Sequence, residues 1–493
     1  MTPPPPQDGV HAARYAQGRA ASRHWEAVPA TERARRIGAV ADRLAARCDE
    51  VAALIAEENG KPPVEALAHD VLPSVQYLRW LEAEAPALLA DRPTALRWMP
   101  VRSAVLRRRA HGVVLVISPW NFPLAIPLTQ VATALVAGNA VVLKPSELTP
   151  RCGALIGSLF ADLPPGLLTV LPGDGSLGAA LIDARPDAVV FTGSLPTGRR
   201  VMAAAAQHPV PVSLELGGVD AMIVCADADL ELAAAAAAWG ATCNTGQVCA
   251  SVERVLVERS IAAEFGLRLR QKLEAIEART DQGRPTLPRQ VDAYRAHVDD
   301  ARERGLTVVG GFDGDTLRPT LISGPGTEGS LAWTEETFGP LVAMLPFDDD
   351  AQAAALHDAI GFGITASVFS RDPVRADRIA RSLRCGLVSV NDVGATLYSH
   401  AELPWGGVGS SGFGRSKGPE GLLEATWCQV IEAARAPGVE PKKPWWYPYE
   451  HRQERVLRRF VDLVAARGPR STARALARVG AAAADLLARA PRT

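Results

Sequence analysis

The chain has 493 residues, enough to bury several cores without disulfide or metal staples, and its length suggests about three domains. At 47% hydrophobic and 22% charged it falls within ordinary globular usage, which excludes a disordered or collagen-like chain. Lys plus Arg number 53 and Asp plus Glu 54, so a net charge of -1 offers no global attraction to nucleic acid or to an anionic membrane.

In chain order, MTPPPPQDGVHAARYAQGRA has no apolar core of a secretory signal, and no stretch reaches the ~18 to 20 apolar residues of a spanning helix. A cytoplasmic location is the expectation. Apolar residues at three- and four-residue steps predict helices over 31–90, with Gly60 as a stop. RPTALRWMPVRSAVLRRRA alternates apolar and basic residues about Pro100, which predicts a two-stranded excursion with edges that seek a partner. From Gly112 the runs VVLVIS, AVVLK, LLTVLP, AVVFTG and VSLELG alternate with helical stretches near 124–137, 150–162, 175–184 and 196–206. That alternation predicts an α/β fold with a parallel sheet wound by helices on both faces. It resumes from Val219 to about Gly409 as a second α/β domain, and the glycines of GSSGFG (409–414) predict a mobile loop.

The seven cysteines are scattered, with no CxxC pair, so neither a disulfide framework nor a zinc site is signalled, and no metal is expected. There is no HExxH, GxxxxGK[ST] or GxSxG, which leaves metalloprotease, P-loop and α/β-hydrolase chemistry without support. Two segments stand out. TCNTGQVCAS (242–251) places Cys249 in a loop of small residues between an Ala-rich helix and the strand VERVLVE, although a free cysteine is more often a packed small side chain. LELGG (214–218) sets Glu215 at the end of an apolar strand, where α/β proteins place reactive groups and where an acid can equally cap a turn.

Together with ENGKP (58–62), PWNFP (119–123), KPSE (144–147), FTGS (191–194) with Gly198, EETFGP (335–340) and LPWGGVGSSGFGR (403–415), these segments strongly resemble the aldehyde dehydrogenase superfamily, in order and from about residue 50 to 430. The resemblance implies an aldehyde dehydrogenase-like fold. An atypical Rossmann cofactor domain (1–91 and 111–216) joins an α/β catalytic domain (217–424) and a β bridging or oligomerisation element (92–110 and 425–433), with a helical C-terminal extension (434–493). It implies oxidation of a small-molecule aldehyde to a carboxylic acid through a cysteine thiohemiacetal and thioester. By the same resemblance Cys249 is the nucleophile, expected to be locally activated, Glu215 the general base, and Asn121 an oxyanion donor alongside the Cys249 N–H.

For the cofactor the resemblance implies NAD, with NADP accepted by some relatives that carry the same acid. Lys144 and Glu147 correspond to residues holding the adenosine ribose, and Gly193, Ser194 and Gly198 to the turn under the pyrophosphate. Glu336 and Phe338 correspond to the nicotinamide-side pair, with Trp120 and Ile117 lining the cleft. Two positions depart from the pattern: Val219, followed by Asp220, where the residue after LELGG is usually Lys or Asn, expected to alter packing behind Glu215, and Trp405 where Phe is commoner, expected to reshape the substrate mouth. His400, near that mouth, is expected to be structural. A homodimer paired through the hairpin is implied. HAELPWGGVGSSGFGR resembles the branch acting on medium- or long-chain aliphatic and aromatic aldehydes. The alternatives are a CoA-acylating relative, which typically lacks the acid at Glu215, and a non-catalytic cofactor-binding protein, which would have lost Cys, Glu or Asn.

The tail differs in kind. From Pro441 to Thr493 twelve Lys or Arg face four acids, a net +8, leaving -9 for residues 1–440. Trp445, Trp446, Tyr447 and Tyr449 adjoin Lys442 and Lys443. A helix is predicted to present Val456, Leu457, Phe460, Val461 and Val464 on one face, to break at Gly468-Pro469 and to be followed by a second helix. Packing against the protein itself is the ordinary expectation, and weak peripheral contact with an anionic membrane the sharper one.

Overall fold

The computed structural model describes residues 7–435, apart from 98, 100, 278, 279 and 315, together with 445–447, 449 and 451–488. The chain divides into two compact units, Met1–Asp91 with Arg107–Gln429 and Arg92–Leu106 with Val430–Thr493.

The first unit holds two sheets among the described residues. The runs Val113–Ile117 and Ala140–Lys144 are buried along their whole length, the signature of strands covered on both faces. They sit centrally in a six-stranded sheet ordered Gly412–Phe413, Val212–Glu215, Ala188–Thr192, Val113–Ile117, Ala140–Lys144, Leu168–Val170. Its first member is antiparallel to its neighbour and the rest are parallel. The chain leaves Val113–Ile117 toward one edge and Ala188–Thr192 toward the other. The carboxyl ends of these adjacent strands therefore bracket a crevice at a topological switch point. The intervening helices Ala125–Val136, Pro150–Leu159, Gly175–Asp183 and Leu195–Ala205 fall where the alternation placed them.

Gly412–Phe413 corrects the expectation of a mobile loop over 409–414. Gly412 pairs with Glu215, and Leu216 N–H donates to the Ser411 carbonyl at 3.0 Å. At φ +103° a Cβ on Gly412 would meet the Leu214 carbonyl oxygen at 2.0 Å, so this glycine serves close backbone approach.

The second sheet is ordered Thr307–Asp313, Thr316–Ser323, Leu341–Phe347, Val252–Glu258, Asp220–Val224, Thr365–Phe369, Leu387–Val390, and is parallel except for the terminal hairpin. The helices before the first sheet include Cys48–Asn59, which ends at Gly60, and a π-helical turn, Leu67–Val71, leading into Leu72–Leu88. An N-terminal helix, Gln7–Glu26, was not foreseen from the sequence. It docks through buried Tyr15 and Trp25, which donate to the Leu181 and Leu135 carbonyls.

In the second unit, Arg92–Ala95 and the start of Arg102–Ala110 form an antiparallel hairpin. The end of Thr426–Ala434 lies beside it as an edge strand, tied by Arg102 to Glu432 and by Arg435 N–H to the Val101 carbonyl. Helices His451–Ala465 and Pro469–Ala488 pack on each other, with Val456, Leu463 and Ala475 buried and the break at Gly468. The expected single apolar face of the first helix is thus split, because Phe460, Val461 and Val464 stay exposed. Lys442 and Lys443 lie outside the described residues. Among those described, no helix is long and apolar enough to cross a membrane.

Candidate active site

The crevice predicted by strand order is present. Trp120 and Asn121, after Val113–Ile117, face Gly193 and Ser194, after Ala188–Thr192, and Glu336 and Phe338 close the other side. Trp120 meets the Phe338 ring edge-on at 5.5 Å. Phe338 holds a left-handed φ of +52°, fixed by Glu253, which accepts from the N–H groups of Thr337 and Phe338 at 2.8 and 2.9 Å. Glu336 accepts from Gly218 N–H at 3.2 Å, and burial pushes its carboxyl up to about 7. Ser194 caps Leu195–Ala205 with no side-chain hydrogen bond to the helix amides.

Gly198 lies one turn further in. Its N–H is spent on the Ser194 carbonyl, and a Cβ there would strike Leu216, so it serves helix-to-strand packing and does not line the crevice. Lys144 and Glu147 also lie outside these walls, one strand away, with Lys144 in register with Ile117. Lys144 donates to Glu147 at 3.0 Å. Burial opposes ionisation of Glu147, yet main-chain and Lys144 hydrogen bonds hold its carboxyl below the usual range.

Cys249 lies at the seam, lining this crevice and also an apolar tunnel that contains Glu215. Two glycines allow the approach. A Cβ on Gly218 would lie 2.4 Å from the Cys249 carbonyl oxygen, and one on Gly217 would lie 2.3 Å from the Glu336 carboxylate. The loop bearing Cys249 is held by hydrogen bonds to the PWNFP loop: Asn121 Nδ2 donates to the Gln247 carbonyl at 3.0 Å, and Asn244 Nδ2 donates to the Asn121 carbonyl at 2.9 Å. Asn121 thereby uses one N–H to fix its amide, and it lines the crevice together with Cys249. Asn244 and Thr245 adopt left-handed φ of +51° and +61°, a strain sustained by these bonds and by Glu65, which accepts from Asn244 N–H at 2.9 Å.

Glu215 accepts from Ser416 Oγ at 2.5 Å and from Thr192 Oγ1 at 3.3 Å. Burial pushes its carboxyl up to about 7 against those hydrogen bonds. Burial also raises the Cys249 thiol above its ordinary range, with the charge of Glu215 adding to the effect. The side chains around Cys249 thus disfavour the thiolate.

The tunnel walls are aromatic: Phe122, Trp239, Tyr398 and Trp405, with His69 beside Trp239 at 5.5 Å between ring centroids. Burial lowers the His69 pKa, so it faces the tunnel as a neutral ring. Trp405 is buried and meets Tyr398 edge-on at 5.1 Å, so it shapes the tunnel wall. His400 is exposed, and Ser399 lines the tunnel in its place. Val219 and Asp220 turn out to brace the second sheet. The Val219 carbonyl accepts from Arg254 at 2.9 Å, and Asp220 accepts from Thr365 N–H at 2.9 Å.

A family model, the aldehyde dehydrogenase family, matches residues 7–431. The chain belongs to the aldehyde dehydrogenase family. Its members are NAD(P)-dependent oxidoreductases acting on the aldehyde group. The chain is 42% identical over 458 residues to a 4,4'-diapolycopene aldehyde oxidase of Methylomonas sp, covering 91% of this chain and 86% of that one. It is 34% identical over 445 residues to a betaine aldehyde dehydrogenase of Cereibacter sphaeroides, covering 87% and 90%. Among solved structures, Staphylococcus aureus betaine aldehyde dehydrogenase in complex with NAD+ superposes with a TM-score of 0.82 at 29% identity, covering 89% of each chain.

Some residues of this aldehyde dehydrogenase's site carried no usable signal. His69 sits on a π-helical turn that breaks the helical register. Arg289 and Gln290 line the crevice from Pro288–Glu303, which carries none of the motifs quoted from the sequence. Behind the site, Lys61 and Asp70 form a fully buried ion pair at 2.8 Å. Lys61 also donates to the Asn121 carbonyl at 2.9 Å and lies 4.1 Å from the centroid of Phe122. Lys61→Met leaves Asp70 buried and uncompensated, and is expected to cost about 3–5 kcal/mol in urea unfolding, whereas breaking an exposed pair such as Arg35–Glu32 is expected to leave the unfolding midpoint nearly unchanged.

Proposed function

We propose that this enzyme oxidises long, apolar aldehydes to carboxylic acids, with Cys249 as nucleophile, Glu215 as general base and Asn121 as oxyanion donor. The observation that carries the reading is the seam: Cys249 faces an aromatic tunnel on one side and the switch-point crevice on the other. An aldehyde entering the tunnel meets the Cys249 sulfur. As the S–C bond forms, Glu215 takes the thiol proton, and the free N–H of Asn121 and the main-chain N–H of Cys249 receive the oxyanion. A bound NAD(P)+ supplies the acceptor for the hydride that leaves the substrate carbon. Once Glu215 has passed that proton to solvent, it deprotonates the water that releases the acid from the Cys249 thioester, so hydrolysis is favoured over transfer to CoA.

The donor chemistry of the crevice fits a nicotinamide dinucleotide. Ser194 and the helix start behind it offer main-chain N–H groups to a pyrophosphate, and ionised Glu147 beside Lys144 suits ribose hydroxyls, hence NAD before NADP. Glu336 and the Trp120–Phe338 pair suit the nicotinamide side. We assign residues 1–91 and 111–216 to cofactor binding and 217–424 to catalysis.

The substrate class follows from the tunnel's aromatic walls. The relative named as a 4,4'-diapolycopene aldehyde oxidase points to an extended polyene as one such substrate. With aldehydes of increasing chain length, kcat/KM for NADH formation is expected to rise from acetaldehyde to long apolar chains, and to vanish in Cys249→Ala. Because Glu215 must be ionised to act, the rate climbs as pH rises through about 7. A preference for acetaldehyde refutes the substrate reading, and turnover in Cys249→Ala refutes the mechanism.

Two surfaces suggest assembly in the cytoplasm. Val430 and Ile431 are 62% and 45% exposed on the edge strand Thr426–Ala434, which suits pairing with a second copy through residues 92–110 and 425–433. In the extension, exposed Trp445, Trp446, Tyr447 and Tyr449 precede a basic helix that exposes Val461 and Val464, which suits weak peripheral contact with an anionic bilayer. Sedimentation tests both. Velocity runs are expected to report at least a dimer, and anionic liposomes at low salt to carry down the full chain but not one ending at Ala434. A monomer, or equal recovery of both chains in the supernatant, rejects the corresponding surface.

A further inference from the structure

Lys417 is buried, and its backbone lies at φ +62° and ψ 173°, a region that is comfortable only for glycine. Its Nζ donates to the Tyr398 carbonyl, and sits 4.2 Å from the Tyr398 ring centroid and 5.6 Å from that of Tyr77. Tyr398 and its edge-on neighbour Trp405 are tunnel walls. The preceding residue, Ser416, is clasped to Trp405 by two main-chain hydrogen bonds, at 2.6 and 2.7 Å, and donates its hydroxyl to Glu215. Residues 416 and 417 therefore touch both the tunnel wall and the carboxylate.

We infer that Lys417 is a positioning residue that couples the aldehyde tunnel to the general base: its hydrogen bond holds the Tyr398 wall in place, and it anchors the turn from which Ser416 donates to Glu215.

The surrounding charges are consistent with this. The charges of Lys417 and Arg415 both favour ionised Glu215, and the charge of Glu402, on the Ala401–Trp405 segment, supports that of Lys417. Cys249 and Asp70 face Tyr398, and Asp220 and Glu336 face Cys249. Burial lowers the Lys417 ammonium to about 7, the range in which Glu215 titrates, so the charge that assists the base is strongest at and below neutrality. The strained backbone is sustained by these side-chain contacts, since the site itself would suit a residue with no side chain.

This inference rests on Glu215 acting as the base, so Glu215→Gln is measured first. Wild-type rate in that variant rejects the base itself, independently of Lys417. Two variants then separate the two roles. Lys417→Met removes both charge and donor, and Lys417→Gln removes the charge while keeping a donor for the Tyr398 carbonyl. Both are expected to move the acid limb of kcat/KM upward by roughly half to one pH unit. Lys417→Met alone is expected to raise the KM for a long aldehyde, by about three- to tenfold, with the KM for NAD+ unchanged in both. An acid limb that stays in place in Lys417→Gln, or an aldehyde KM that stays in place in a Lys417→Met that still binds NAD+, overturns the inference. If Lys417→Met does not fold, the limb in Lys417→Gln decides alone.

Discussion

The site depends on one main-chain carbonyl, that of Asn121. Lys61 and Asn244 donate to it at 2.9 Å each, the first from the helical N-terminal region and the second from the loop that carries Cys249. The Asn121 side chain answers by donating to Gln247 in that same loop. Asn121 belongs to the first sheet's connection and Gln247 to the second sheet's, so these bonds register one sheet against the other at the point where the thiol emerges. Lys61 is anchored in turn by Asp70, which also accepts from the N–H groups of Leu124 and Ala125 at 3.2 and 3.0 Å. A buried charge pair holds a loop, and that loop holds the Cys249 loop in a strained conformation.

Burial then sets the chemistry. The same low-polarity seam raises Glu215 to about 7 and raises the Cys249 thiol further. A carboxyl poised near neutrality can accept a proton and lose it again within one turnover, which a fully solvated glutamate does poorly. Buried Asp220, Glu253 and Glu336 make the interior around the seam acidic, and each carboxyl is occupied by main-chain N–H groups, so they act as anchors for the loops.

Much of this was legible in the sequence because the informative residues are local. Apolar runs such as VVLVI are buried as the composition of a two-sided strand requires, and the loop positions of Asn121 and Cys249 follow from the strand ends beside them. What escaped was set by tertiary contact. The glycines of GSSGFG suggested mobility, where Gly412 in fact lets the chain lie against Leu214 as an edge strand. Gly198, placed by resemblance in the turn under the pyrophosphate, also packs closely against Leu216. His69 and Tyr398 line the tunnel from a π-helical turn and a 3-10 segment, where helical or strand periodicity gives no facing. The tail's apolar stripe was read as one face, yet Val456 and Leu463 turn inward to the second helix and Phe460, Val461 and Val464 do not.

The central claim is that Glu215 serves the acyl-enzyme on Cys249. Glu215→Gln, mixed with a long aldehyde and NAD+, quenched in acid and digested, reports this directly by peptide mass. The account expects the acyl group of the substrate to accumulate on the peptide carrying Cys249, at a level above that of the wild type, because its release as the acid is slowed. An adduct on another cysteine, or steady turnover in Glu215→Gln with no adduct on Cys249, contradicts it.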